Sequence, residues 1–362
     1  MKRHYYIIKG IVLLAAMLLA ACSGSDSDDS PIATSQNEIH LTTNVTSMPL
    51  GTRATTIDDN TALQGCELKI DAYFNDTETK FLDGKTLRYD SSEPAGWKFW
   101  NTGSSSQEHY YWPFDGSTVT IEDEPKVAST LDFVGFCPYD KPAYIGDPTY
   151  NHSTGVSFTC DMRSYMTNTA QASVSEFLVG LTQNQTYSTQ TASGVPLSFK
   201  HPFARIRFQL AASHPNVQIN VITFKNLKTG GPCTFSPAGN SSWSSLTGNA
   251  DLVMTLASKD GDGNYIAADI NTFNSYPASE LPIGGYSGGA HQYDDLIVIP
   301  QEWNGEIEVN ASWNDWGDTP VAHTVTATIP AATWQPGYSY TYTFTITLED
   351  LVVNLTDFTE QW

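Results

Sequence analysis

From Tyr338 to Leu348 the chain alternates without a break between large apolar residues and small hydroxyl-bearing ones. Tyr338, Tyr340, Tyr342, Phe344, Ile346 and Leu348 hold one parity; Ser339 and the threonines at 341, 343, 345 and 347 hold the other. Side chains repeat every two residues only in an extended chain, so this stretch predicts a long strand with one buried face and one wet face. The same period recurs elsewhere. Ala204, Ile206, Phe208 and Leu210 oppose Arg205, Arg207 and Gln209. Ile307, Val309, Ala311 and Trp313 share a face, as do Val321, Val325, Ala327 and Ile329 with His323 in the row. Leu131 to Cys137 is apolar at nearly every position after Asp132, which predicts a strand covered on both faces and stopped at Pro138. With Gly and Pro turns between such runs and no persistent helical periodicity, the fold class is all-β, built as sandwiches rather than a parallel α/β sheet.

The first half carries fewer clean signals. Glu38 to Val45 reads as a strand with Ile39, Leu41 and Val45 on one face and Thr43 between them. Leu68 to Phe74 is a second strand. A loop-rich region with Gly96, Gly103 and a serine run follows, ending in Tyr110-Tyr111-Trp112-Pro113. Asp161 to Ala172 is the least periodic part and suits a short helix, and Phe177 to Gly180 reads as a strand. Polar Thr182 to Gly194 reads as an inter-domain connection. The expected organisation is an N-terminal β-sandwich over residues 37–190 and a C-terminal one over 191–362.

The extreme N-terminus is of another kind. Lys2, Arg3 and Lys9 precede an apolar run, Ile11 to Leu19, too short for a comfortable membrane span. Leu19-Ala20-Ala21 directly before Cys22 resembles the lipobox of bacterial lipoproteins, in which the Cys sulfur is diacylated and the preceding bond is cut. Residues 1–21 are therefore expected to be a signal peptide and Cys22 the lipidated N-terminus, held by acyl chains such as palmitate. Residues 22–36 contain Ser23-Gly24-Ser25-Asp26-Ser27-Asp28-Asp29-Ser30, a solvated acidic tether with little to bury. Such a stretch after an acylated Cys resembles the signal that sends Bacteroidetes lipoproteins to the outer face of the outer membrane.

Processing at Cys22 leaves about 340 residues, room for two domains. The formal net charge of -21 becomes -24 once Lys2, Arg3 and Lys9 are removed. Phosphate backbones repel such a chain, which excludes nucleic acid as a partner. Cys66, Cys137, Cys160 and Cys233 lack CxxC spacing and clustered histidines, which argues against zinc, and their wide spacing allows at most one disulfide.

Several stretches together resemble the fimbrillin (Mfa-like, type V pilin) family of Bacteroidetes surface lipoproteins. They are Tyr110-Tyr111-Trp112-Pro113, Leu131 to Phe136 leading to Pro138, Leu197 to Ile206, Ile297-Val298-Ile299-Pro300-Gln301, and Trp334 to Tyr342. The resemblance implies two tandem transthyretin-like β-sandwich domains and a structural subunit or tip/anchor component of fimbriae. Its partners would be other fimbrillin subunits, the outer membrane through the lipid anchor, and a host surface or glycans. In fimbrillins an arginine-specific protease can cut in a loop after the first strand, and removing that strand opens a groove for a strand of the next subunit. Arg53 followed by Ala54 stands in the corresponding place, behind the exchangeable strand carrying Ile39, Leu41 and Val45. An ordinary loop Arg would look the same. Leu351 to Phe358, with Leu351, Val353 and Leu355 on one face, suits a donor strand or the last strand of its own domain.

Other features have simpler explanations. Asp260-Gly261-Asp262-Gly263-Asn264 begins like a calcium loop but has Tyr265 and Asn271 where Gly and Glu are required, so no metal is expected. Ser287 lacks GxSxG spacing, no HExxH occurs, and paired carboxylates suit the acidic surface of this chain. His201 and Arg205 read as a strand-start contact and an outer-face charge. No catalytic residue and no cofactor follow. A second function class rests on aromatics: Trp313 and Trp316, at a strand end entering a turn, would suit a monomeric lipoprotein that binds glycans.

Overall fold

Leu131–Cys137, whose seven residues are all buried, forms the strand most fully enclosed by the fold. Leu131, Phe133 and Cys137 enter one apolar cluster and Val134 and Phe136 another, so the strand is covered on both faces as its composition requires. The structure, a computed structural model, describes residues 38–45, 57, 59–75, 78–113, 130–166, 174–187, 189–190, 194–210, 218–255, 296–313, 321–328, 332–346 and 351–360.

In chain order the strands are β1 (Leu41–Val45), β2 (Leu68–Phe74), β3 (Lys80–Asp90), β4 (Gly96–Trp100), β5 (Gln107–Glu108), β6 (Leu131–Cys137), β7 (Thr149–Asn151) and β8 (Gly155–Asp161). They continue with β9 (Leu178–Gln185), β10 (Val195–Lys200), β11 (Ala204–Leu210), β12 (Gln218–Leu227), β13 (Gly230–Phe235), β14 (Ser241–Trp243) and β15 (Ala250–Thr255). The last are β16 (Leu296–Val298), β17 (Glu302–Trp303), β18 (Glu306–Trp313), β19 (Val321–Thr328), β20 (Ala332–Thr333), β21 (Tyr338–Ile346) and β22 (Leu351–Glu360). Helix α1 (Asn60–Gln64) lies between β1 and β2, capped by the Asp59 carboxylate, which accepts from the Ala62 N–H. The fold is all-β, as expected.

An eight-stranded sheet runs β1-β10-β9-β6-β2-β3-β4-β5, and three four-stranded sheets run β14-β13-β8-β7, β16-β11-β21-β22 and β15-β12-β18-β19. Among the described strands only β1 on β10 and β11 on β21 pair in parallel. The eight-stranded sheet curls until its ends meet: Glu38 bridges Tyr111 beyond β5, and the Ile39 N–H donates to the Tyr110 carbonyl at 2.7 Å. Ile39, Leu41, Leu68, Leu87, Phe133 and Phe199 pack in the cluster that this curl encloses. Three pairings join chain segments on either side of residue 190: β10 with β1, β10 with β9, and β13 with β8.

Several details depart from the sequence reading. The loop-rich region after Phe74 holds the β3–β4 hairpin. Asp83-Gly84 interrupts its alternation; Gly84 takes a positive φ of 57° and donates its N–H to the Asp71 carboxylate at 2.6 Å, a bulge where the β2–β3 register slips. β9 runs on to Gln185, because Thr182 and Gln185 pair with Phe133 and Leu131 of β6. The only helical turn described within Asp161 to Ala172 is a 3-10 turn at Arg163–Tyr165. Ser339, placed on the wet face by parity, is buried.

Candidate strand-exchange site

β1 is a short strand at the end of the eight-stranded sheet. Ile39, Leu41 and Val45 are buried to 1, 3 and 5% exposure, while Asn44 faces water. The strand lies on β10 in the register Leu41↔Val195, Thr43↔Leu197 and Val45↔Phe199. Burying each such aliphatic side chain stabilises by about 1.5–3 kcal/mol. The hydrogen-bond ladder adds less, because a parallel edge pairing is the weaker kind. The floor beneath is shaped by glycines. Gly135 and Gly180 face each other across β6 and β9, and a Cβ on Gly135 would stand 2.6 Å from the Phe199 ring and 2.7 Å from a Leu197 methyl. The bulk of β10 therefore fits only over bare backbone.

Side chains from distant segments hold β1 at both ends. The Gln190 carboxamide acts as a surrogate strand: its Nε2 donates to the Glu38 carbonyl at 3.0 Å, and its Oε1 accepts from the His40 N–H at 3.1 Å. The same oxygen accepts from the buried Trp112 indole at 3.1 Å. At the far end, Asn60 Oδ1 accepts from the Val45 N–H at 2.9 Å. Gly194, at φ +103°, admits the close approach of His40, whose carbonyl would lie 2.6 Å from any Cβ there and accepts the Val195 N–H at 2.7 Å. Glu38 also contacts the His109 ring at 2.6 Å.

Behind α1 lies a buried polar group. The Ile57 N–H donates to Glu176 Oε2 at 2.6 Å, and Glu176 Oε1 is 3.7 Å from His201 Nδ1. Burial, reinforced by the nearby Arg205 guanidinium, holds the His201 imidazole well below its ordinary value of 6.5. Arg205 is itself 2% exposed, which corrects its reading as an outer-face charge: a charge on the alternate parity of β11 ends inside the fold.

Cys22, Arg53, Ala54 and Trp316 lie outside the described residues. Leu351, Val353 and Leu355 belong to β22, whose backbone pairs antiparallel with β21 at Ile346, Phe344 and Tyr342 and ends that sheet. Trp313 ends β18 opposite Val321. Of the other tryptophans, Trp112, Trp303 and Trp334 are core. Trp303 and Trp334 stack at 5.2 Å, and the Trp334 indole donates to the Tyr342 hydroxyl at 2.8 Å.

One Asp–His–Tyr group invites a chemical reading. Buried Asp132 accepts from the Tyr150 hydroxyl at 2.7 Å and the Asn184 N–H at 2.7 Å, and lies 2.6 Å from His152 Nδ1. These bonds fasten the β7–β8 hairpin to β6 and present no Ser or Cys nucleophile among the bonded groups. The residues that sequence reasoning missed, Gln190, Asn60, Glu176 and Gly194, sit in loops or at element ends, where no period marks them.

The family profile described as fimbrillin-like matches residues 125–362. No curated protein matches the chain. Among solved structures, a fimbrial protein from Bacteroides vulgatus is 13% identical with a TM-score of 0.55, over 90% of this chain and 99% of that one. A protein ascribed to cell adhesion from Bacteroides uniformis is 14% identical with a TM-score of 0.47, over 89% of this chain and 97% of that one. The tip fimbrial protein Mfa3 from Porphyromonas gingivalis, with C-terminal truncation, is 10% identical with a TM-score of 0.36, over 90% and 100%. The likeness to the first is one of fold, and the profile match spans well over half of the sequence. The chain belongs to the fimbrillin-like family.

Proposed function

We propose that this protein is a structural subunit, tip or anchor component of fimbriae that assembles by β-strand exchange. Cys22 carries the lipid that holds it at the outer membrane, and Arg53 is the processing site that frees β1. The observation that carries this reading is the seat of β1: a short parallel edge strand with Leu41 and Val45 buried and Ile39 buried just ahead of it, held by side-chain clamps rather than by a second neighbouring strand along its length. Its removal bares the outer backbone groups of β10 and an apolar groove beside Leu197 and Phe199. Unpaired edges and exposed pockets together drive capture of an extended segment. β22, already paired only on its β21 side in the sheet order, is the donor that the groove of the next subunit receives. The family setting agrees with a non-enzymatic, adhesive role.

The test is limited digestion of the purified precursor with an arginine-specific protease. Cleavage behind Arg53 followed by concentration-dependent oligomers, with Arg53→Ala remaining monomeric under the same treatment, is the expected result. Cleaved wild type that releases its N-terminal fragment and stays monomeric at high concentration would overturn the assembly mechanism. Retention of radiolabelled palmitate by Cys22→Ser would overturn the anchor assignment.

A further inference from the structure

The four-stranded sheet β14-β13-β8-β7 carries an open cleft of about 490 Å³, inside the range of about 300–1,000 Å³ usual for small-ligand sites. The loop from Ala143 to Gly146, the end of β8, the start of β13 and Thr247 line it, and no residue of β1, β10 or β22 takes part. Strand parity turns Thr159 and Asp161 of β8 outward, where both are exposed, while Phe158 and Cys160 enter the core. Across the ladder β13 offers little bulk: Pro232 pairs with Thr159, Gly231 with Cys160 and Gly230 with Asp161. Two successive glycines thus leave bare backbone beside the outward side chains. Both walls are pinned to this floor. The Gly146 N–H donates to the Thr159 carbonyl at 2.8 Å and the Asp161 N–H to the Tyr144 carbonyl at 2.9 Å; on the other side the Thr247 N–H donates to the Gly230 carbonyl at 2.8 Å.

Three threonine hydroxyls lie against glycines around this cleft. Thr159 Oγ1 is 2.2 Å from where a Cβ on Gly146 would stand, Thr247 Oγ1 is 3.3 Å from that of Gly230, and Thr229 Oγ1 is 2.3 Å from that of Gly248. Arg163 Nη2 is 3.2 Å from the last of these points, so the Thr229 hydroxyl and the guanidinium converge beside Gly248. Thr229 is 1% exposed, and its hydroxyl has no hydrogen-bond partner among the described residues, an arrangement that folded proteins rarely leave in place. Among the same residues the Arg163 guanidinium has neither a hydrogen bond nor an ion pair, and the Thr159 and Thr247 hydroxyls are also unpaired. Asp161 Oδ1 accepts from the Arg163 N–H at 3.0 Å, which fixes the carboxylate next to the turn that carries the guanidinium and leaves Oδ2 to spare.

We propose that this cleft binds one neutral sugar ring, presented as the exposed end of a glycan. A cation and an anion two residues apart suit neither kind of charged ligand, since an anion meets Asp161 and a cation meets Arg163. The net charge of -21 adds to the penalty on an anion. Ring hydroxyls need both groups, because each one donates and accepts. The guanidinium fork donates to two neighbouring ring oxygens, Asp161 Oδ2 accepts from a third hydroxyl, and the threonine hydroxyls act in either sense. Pro232 and Ala143, both exposed, offer apolar surface to the C–H face of the ring. An extended peptide fits less well, because β8 and β13 each have a neighbour on both sides in the sheet and offer no free edge. The site shares nothing with the seat of β1, so the proposal stands whether or not Arg53 is cut.

The experiment is saturation-transfer NMR of the intact, folded precursor with the methyl glycosides of glucose, galactose, mannose and N-acetylglucosamine. Glucuronic acid and glucosamine serve as charged rings for comparison. The expected result is transfer to at least one neutral ring, with a dissociation constant on the order of 1 mM, and binding of both charged rings weaker by roughly tenfold or more. Arg163→Ala and Asp161→Asn should each weaken the neutral ring by roughly tenfold or more while leaving the melting temperature unchanged, because both side chains are exposed. Trp313→Ala, outside the cleft, and Asn60→Ala, at the end of β1, should leave binding as it is. Absence of transfer to every neutral ring, tighter binding of a charged ring, or binding that survives both cleft variants would overturn the assignment.

Discussion

The backbone N–H of Val45, the last residue of β1, donates to the side-chain oxygen of Asn60, the first residue of α1, at 2.9 Å. The two residues lie on either side of Arg53. A cut behind residue 53 therefore separates them covalently while leaving them bonded across the gap, and release of β1 becomes a matter of non-covalent affinity. Asn60→Ala should remove this contact at a cost of about 0.5–1.5 kcal/mol and speed fragment release after cleavage by up to roughly tenfold. Amide exchange at Val45 and size-exclusion timing of the fragment both report it. Equal release rates in variant and wild type would show that the contact carries no grip.

Leu41→Ala should cost the intact precursor about 2–5 kcal/mol, since Leu41 is buried over the Val195 position. A chain starting at residue 54, which lacks β1 altogether, gives the lower limit against which the loss is read. The comparison is read in denaturant melts.

Gly135→Ala would place a methyl group against Phe199 and Leu197. Because the contact is with a ring and a branched chain already packed, overpacking should cost about 1–3 kcal/mol. Gly194→Ala adds backbone strain at φ +103° to a clash with the His40 carbonyl, and should loosen β1 specifically. Amide protection of β1 relative to β6 separates the two effects.

His201 supplies the pH dependence. Its folded value lies well below 6.5, the value expected of the unfolded chain, so above 6.5 both states hold it neutral and stability is unaffected. As pH falls below 6.5 the unfolded chain takes up a proton that the folded one refuses. Stability then declines by up to about 1.4 kcal/mol per pH unit until the folded value is reached. His201→Gln should flatten this slope in melts between pH 7 and about pH 5; an unchanged slope would assign the acid sensitivity elsewhere.

Deleting residues 351–362 strips β21 of the partner it has from Tyr338 to Ile346. The truncated precursor should melt at least several degrees below wild type and fail to extend a polymer. Blocked growth with an unchanged melt would mean that β22 serves the neighbour alone.

Local pattern determined which segments are strands wherever one face is apolar and the other polar. Leu68–Phe74, Leu131–Cys137, Glu306–Trp313 and Tyr338–Ile346 follow from their residues, as does the burial of Ile39, Leu41 and Val45. Resemblance in short motifs sufficed for the family. Partner choice was not legible. That β1 runs parallel on β10, that Gln190 stands in for a strand, and that Gly135 and Gly180 face each other depend on residues up to about 150 positions apart, joined only by the closed fold. Arg205 shows the reason most plainly. Strand parity assigns it to one of two faces, but whether that face meets water or the interior is decided by what the rest of the chain lays over it.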